Sequence, residues 1–252
     1  MRDYAPDNDL LKDRIILVTG AGDGIGKAAA LSFARHGASV ILLGRTTAKL
    51  EKVYDTIEAE GGPTPAILSF NLMSPTPENY QAVYETIAQE FGRLDGLLHN
   101  AGDLGTLTPI EQYDAETWYR VMQINVNAAF MLTQSCLPLL KKSADASVVF
   151  TSSGVGRKGR AYWGAYAVSK FANEGMMQVL ADELDGSTHV RVNSLNPGAT
   201  HTNMRSKAYP GEDPGTLPEP EDLMPAYLYL FGPDSRGVNG QQLDARDFIG
   251  DR

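Results

Sequence analysis

Short apolar runs alternate along the chain with stretches of helical period. RIILVT (14–19), SVILL (39–43), PAILSF (65–70), LDGLLH (94–99), SVVFT (147–151) and HVRVNSL (189–195) are near-continuous in hydrophobic residues. That is the pattern of strands buried on both faces. Between them, residues 26–35, 49–60, 78–91, 116–140 and 164–184 place apolar side chains at helical spacing. Such alternation predicts an α/β fold, a parallel sheet with helices on both faces. Ligands in these sheets sit outside the carboxyl ends of the strands, so functional residues should follow strands directly. One stretch breaks the pattern: KAYPGEDPGTLPEP (207–220) is too rich in proline, glycine and acid for a strand or a long helix. Its place after the sixth strand sets it over the same edge, as a mobile lid or as a passive surface loop.

Composition narrows the class. The 252 residues are 42% hydrophobic and 21% charged, which is ordinary for a folded globular chain. A net charge of -9, from 22 basic and 31 acidic residues, argues against nucleic acid as a partner. No apolar run approaches the roughly 18 residues of a membrane span. The polar start, MRDYAPDNDL, does not read as a secretory signal. The single cysteine, Cys136, has no partner for an internal disulfide and leans toward a reducing compartment. These features together suggest a soluble, cytoplasmic chain without a membrane segment.

Candidate chemistry begins where the first strand ends, in Thr19-Gly20-Ala21-Gly22-Asp23-Gly24-Ile25-Gly26 before a helix. Glycines let a backbone turn sharply and approach a pyrophosphate, and a helix N-terminus offers unpaired N–H groups and partial positive charge. Dinucleotide sites often carry an acid at the end of the second strand for the ribose hydroxyls. Here Gly44 stands in its place and Arg45 follows. A guanidinium binds a ribose 2′-phosphate that a carboxylate would repel, so NADP(H) is favoured over NAD(H). Asp23, beside the glycines, works against that preference.

Tyr166 and Lys170 stand four apart on one predicted helix face. With 11 tyrosines in the chain, that spacing alone arises readily by chance. Its company makes it informative. Ser153 ends an apolar strand 13 residues upstream, Asn100-Ala101-Gly102 closes the fourth strand, and Asn125 lies in the next helical stretch. Reducing a carbonyl puts negative charge on oxygen as hydride arrives, and a proton must follow. An unperturbed phenol, with a pKa of about 10, is a poor partner near neutrality, and an adjacent ammonium should lower it. If the chain reduces a carbonyl, as the resemblance these residues carry implies, Tyr166 is the expected acid and base, and Lys170 the group that tunes it.

The glycine spacing, the YxxxK pair, Ser153 and Asn100-Ala101-Gly102 together resemble the short, single-domain branch of the short-chain dehydrogenase/reductase superfamily. Within that branch the chain looks closest to the bacterial YciK-type oxidoreductases. The resemblance covers nearly the whole chain. It implies one doubly wound Rossmann domain over 1–252, with a parallel seven-stranded sheet in the order 3-2-1-4-5-6-7. Residues 1–9 would form a polar tail and 203–220 a substrate lid. It further implies that Gly20, Asp23, Gly24, Ile25, Gly26, Asn71, Leu72, Asn100, Ala101, Gly102, Tyr166 and Lys170 border the cofactor. Asn71 would meet the adenine amino group and Lys170 the nicotinamide ribose. Pro197, Gly198, Thr200 and Thr202, after the sixth strand, would meet the nicotinamide, with Thr202 on its carboxamide. Ser153 would position the substrate oxygen, and Asn125 would hold a helix kink and a water linking Lys170 to solvent. A small carbonyl or alcohol substrate and a homodimer or homotetramer complete the implied picture. A non-catalytic NADP(H)-binding regulator on the same fold is the alternative.

Three features depart from the family pattern. His99 stands where a second asparagine is common; a packed structural role is the plainer expectation, and tuning of proton transfer the other. Arg157, Lys158 and Arg160 form a basic cluster between Ser153 and Tyr166, which either solvates a loop or holds an anionic substrate group. QQLDARDFIG replaces the usual glycine-rich tail. His36, His189 and His201 show no ligand spacing, so no metal site is expected, and Cys136 reads as helix packing.

Overall fold

The computed structural model describes residues 4–73 and 75–249. Seven parallel strands form one sheet in the order β3-β2-β1-β4-β5-β6-β7. In chain order the elements are β1 (Ile15–Thr19), α1 (Gly24–Arg35), β2 (Ser39–Gly44), α2 (Thr47–Ala59), β3 (Ala66–Ser69), α3 (Pro77–Glu90) and β4 (Gly96–His99). Then come α4 (Ala115–Met122), α5 (Ala128–Leu140), β5 (Ala146–Thr151), α6 (Gly164–Leu184), β6 (Val190–Asn196), α7 (Asn203–Ala208), α8 (Met224–Phe231) and β7 (Gln242–Asp244).

Successive strand residues point to opposite faces, and the core divides accordingly. Ile16 and Val18 of β1 pack with Val40 and Leu42 of β2 against α1, α2 and α8. Ile15 and Leu17 turn the other way, with Ile41 and Leu43, onto α3, α5 and α6. The central strands β1, β4 and β5 are buried throughout, as their unbroken apolar runs require. Strand order reverses between β1 and β4, and the crevice at that switch point opens at the carboxyl ends of the strands.

Two expectations are corrected. The helical stretch 116–140 is not one regular helix, because a π-helical turn, Gln123–Asn127, separates α4 from α5. The polar tail is only partly a tail: residues 1–3 lie outside the described residues, but Tyr4 is docked. Its ring meets Tyr229 at 5.4 Å and Phe248 at 6.4 Å between centroids, and its hydroxyl donates to Asp234. The sequence YAPDN hides this because one aromatic side chain, not a periodic pattern, makes the contact.

Candidate active site

The glycine turn lies between β1 and α1. Gly20 and Gly24 have φ of +69° and +48°, where a side chain is strained. A Cβ on Gly20 would sit 3.1 Å from the Cα of Ala101, so the turn closes directly on the segment after β4. Thr19 ties the two together. Its Oγ1 donates to Leu98 O and accepts from the N–H groups of Asn100 and Ala101 at 2.9 and 3.0 Å. Ile25 packs its side chain toward the core, which leaves its backbone N–H as the group able to face a ligand. That N–H and the one on Gly26 have no partner within the helix.

Asp23 caps α1 by accepting from Gly24 N at 2.8 Å. The same carboxylate receives Lys49 Nζ at 2.6 Å and Asn203 Nδ2 at 3.2 Å. The Lys49 contact holds it below the usual carboxylate range. A negative charge that would repel a phosphate is thus matched by a cation. Arg45, exposed at the end of β2, makes no ion pair among the described residues. An acid at position 44 is not simply missing: a Cβ there would lie 3.2 Å from Leu50. Glycine cradle, helix N-terminus and uncommitted guanidinium form a donor set that fits a phosphate-bearing dinucleotide.

Asn71 and Leu72 follow β3 as expected. The Asn71 side-chain oxygen accepts from Met73 N at 3.1 Å, and Leu72 O accepts from Gln123 at 3.3 Å. Asn71 therefore has one lone pair left for a ligand. After β6, Gly198 takes a φ of +72°. Thr202 caps α7 through Arg205 N, and its methyl lies 3.4 Å from where a Cβ on Gly24 would stand. The loop carrying Pro197, Gly198 and Thr202 is thereby brought over the glycine turn. Thr200 is buried and spends its hydroxyl on Pro197 O at 3.3 Å, inside its own turn.

The other half of the site is built on α6. Tyr166 and Lys170 are both buried on one face, with Lys170 Nζ 5.5 Å from the centre of the Tyr166 ring. Lys170 donates to Thr151 O at 2.7 Å. Ser153, just beyond β5, stands near enough to the Tyr166 phenol to favour its ionised form. Burial pushes that phenol up to about 12, against the smaller opposite effect of Ser153. The expectation of a lowered phenol pKa is therefore corrected for the chain by itself. Desolvation outweighs an ammonium that lies over the ring and bonds elsewhere. Burial also pushes Lys170 down to about 8, with Glu174 acting the other way.

Glu174 was not anticipated, although 166, 170 and 174 share one spacing. It is buried and accepts from Ser152 and from Ser194, the latter at 2.6 Å. Arg157 completes its surroundings. The guanidinium reaches Glu174 at 3.2 Å and Asp244 at 2.8 Å, and donates to Leu243 O. Arg157 thus leaves the basic cluster and serves as a tie between the loop after Ser153 and β7. Ser169, also unanticipated, accepts from Asn125 Nδ2 at 2.9 Å and donates to Tyr166 O. Asn125 sits within the π-helical turn and exchanges two hydrogen bonds with the Asp103 backbone, at 2.7 and 3.0 Å. It thereby fastens the loop after Gly102 to α6.

His99 is buried, stacked on Phe150 and bonded to Thr133 at 2.7 Å. Burial, with Lys170 nearby, pushes it down to about 3, so it stays neutral and plays a packing part. Cys136 is buried and pushed up to about 12, inert helix packing. Among the described residues, no cluster of three or more His, Cys, Asp or Glu is arranged to hold a metal ion. No described helix is long and apolar enough to cross a membrane.

A cavity of about 410 Å³ opens beside Ser153, bordered by Trp163, Asn196, Gly198 and Tyr209 and by the cations Lys158, Arg160 and Arg205. Trp163, on the cavity wall, has its ring 5.7 Å from that of Tyr166. The segment 203–220 borders it, is braced internally by Arg205 on Glu212, and is fastened outside itself by Arg160 on Tyr209 and His201 on Glu219.

Known proteins resemble this chain along most of its length. The short-chain dehydrogenase family model matches residues 14–213. The oxidoreductase YciK of Escherichia coli strain K12 is 56% identical over 96% of each chain. A short-chain dehydrogenase structure from Pseudomonas syringae is 60% identical with a TM-score of 0.96, covering 97% of this chain and 99% of that one. Another, from Shigella flexneri and solved with NADP, is 56% identical with a TM-score of 0.93 over 95% of this chain and 100% of that one.

Proposed function

The chain belongs to the short-chain dehydrogenase family, and from that premise we propose that it is an NADP(H)-dependent oxidoreductase interconverting a carbonyl and an alcohol, with Tyr166 as acid and base. The observation that carries this reading is the convergence of Ser153, Tyr166 and Lys170 at the strand ends beside the glycine turn. When bound, the reduced nicotinamide supplies the hydride. Arg45 would hold the 2′-phosphate, Gly20 to Gly26 the pyrophosphate and Lys170 the ribose next to the nicotinamide. Structural relatives bound to NADP support the choice of coenzyme.

Ser153 donates to the substrate oxygen and fixes it against the phenol, so negative charge develops where a donor is already aimed. Tyr166, whose phenol keeps its proton in the buried site, transfers that proton to the same oxygen. The Lys170 ammonium favours the phenolate that results. Asn125 holds the loop after Gly102 and keeps one lone pair of Oδ1 for a water on the way to solvent. The segment 203–220 serves as the lid over a single domain, the assembly is a homodimer or homotetramer, and the setting is the cytoplasm.

The test is Tyr166→Phe. Turnover of NADPH with a carbonyl panel should fall about 10³-fold or more, the range for losing a positioned acid. Binding of NADPH should change less than about twofold. Undiminished turnover removes Tyr166 from the mechanism, and failure of the parent protein to bind NADPH removes the cofactor assignment.

A further inference from the structure

We infer that the substrate carries an anionic group, a carboxylate or a phosphate, which Lys158 and Arg160 hold at the mouth of the cavity. The inference deepens the carbonyl–alcohol reading and rests on it only for which end of the molecule faces Tyr166.

Among the described residues the cavity wall contains three cations and no acidic residue, in a chain with 31 acids against 22 bases. The three are not equivalent. Arg205 is neutralised, with two guanidinium nitrogens on the Glu212 carboxylate at 2.6 Å each, and it stacks on the Tyr209 ring at 3.8 Å. Lys158 and Arg160 have no carboxylate partner among the described residues. Arg160 is nevertheless oriented, because it donates to the Tyr209 hydroxyl at 2.7 Å. One of its five N–H donors is spent there and the rest remain. Arg157, three residues earlier, shows the contrast: its charge is taken up by Glu174 and Asp244.

Two uncompensated cations on a free surface are screened by water and salt. Placed on the wall of a concave, partly apolar site they focus the field on whatever enters. Trp163 and Tyr209, with ring centroids 6.0 Å apart, supply the apolar wall between that charged mouth and Ser153. The cavity therefore has a hydrogen-bonding end for a carbonyl oxygen, an aromatic middle and a cationic rim. A carbonyl compound with an acidic group at its far end matches all three.

The experiment is calorimetric titration of the protein loaded with NADP⁺, where no reduction occurs. The ligands are matched pairs: 4-carboxybenzaldehyde and methyl 4-formylbenzoate, succinic semialdehyde and its methyl ester, glyceraldehyde 3-phosphate and glyceraldehyde. At least one anion should bind tenfold or more tighter than its neutral partner at low salt, and the pair concerned tells carboxylate from phosphate. That preference should shrink in high salt and disappear in the K158Q/R160Q double variant. Both positions are exposed, so melting temperature serves as the folding control. If no pair shows a preference, or if the preference survives both substitutions, the inference is overturned. NADPH oxidation by the same compounds is measured separately. Its absence throughout would sink the carbonyl-reduction reading while leaving the binding preference to be judged by itself.

Discussion

Lys170 shares its face of α6 with Tyr166 one turn before it and Glu174 one turn after, and burial decides how the lysine and the phenol hold their protons. Its ammonium is pushed down to about 8 and the phenol up to about 12. The proposed reaction needs the cationic lysine, because only that form would stabilise a phenolate beside it. Above its pKa the lysine is neutral, so kcat/KM for carbonyl reduction should be flat near neutrality and fall as pH rises through about 8. Glu174 acts on Lys170 in the opposite direction to burial. Glu174→Gln should therefore move the falling limb to lower pH. A variant that merely loosens the fold would lower activity at all pH values without shifting the limb, and that result would confine Glu174 to packing. Arg45 is the second residue whose charge has one expected reader. Arg45→Asp would set a carboxylate against the 2′-phosphate and should lower the NADPH/NADH ratio of kcat/KM at least tenfold, roughly 1.4 kcal/mol. An unchanged ratio would assign the 2′-phosphate to other groups.

At the scale of elements, the sequence was most legible where burial is continuous and least where one contact decides the shape. The run 14–19 emerged as Ile15–Thr19, and the helix expected over 164–184 spans Gly164–Leu184. Hydrophobic period could not reveal the π-helical turn, since one inserted residue barely disturbs the pattern of 116–140. The turn became necessary only once Asn125 had to meet the Asp103 backbone and Ser169. Helix α8 was hidden for the opposite reason. MPAYLYLF lies in the core on nearly every side, so it has no polar face to show a period. Strand β7, with three residues, is too short to register. The site divides in the same way. Ser153, Tyr166, Lys170 and the glycine turn were readable because local spacing and strand position define them. Thr19, Ser169 and Glu174 act through partners that only the fold brings near. Which basic residue of 157–160 stays free depends on Asp244, 87 positions from Arg157. No local pattern carries that information.

At the scale of the whole molecule, several large apolar side chains are exposed among the described residues, and those on α6 line up. Val168, Phe171 and Val179 are exposed on α6, and Phe130 and Tyr119 are exposed on α5 and α4. The α6 residues are spaced three and eight apart, so they form a stripe along one side of the helix. Gly175 lies on the same stripe, and a Cβ there would meet nothing within 4 Å. The opposite side of α6 carries Tyr166, Lys170 and Glu174, so whatever covers the stripe also steadies the proposed catalytic face. A second copy of the chain presenting the same stripe about a twofold axis is the economical cover, and such self-complementary interfaces dominate among oligomers. Phe171 is 45% exposed, so covering the rest is worth roughly half of the ~1.5–3 kcal/mol for burying a whole phenylalanine, and a twofold interface counts it twice. Phe171→Asp would remove that gain and place two carboxylates near the axis. Light scattering should give the parent protein a mass of two or four chains and the variant that of one, with far-ultraviolet circular dichroism unchanged. Because α6 is shared, the monomeric variant should also lose turnover while keeping NADPH binding. A parent protein that elutes as a single chain at micromolar concentration would defeat the assignment. Full activity in a monomeric variant would separate the stripe from the chemistry behind it.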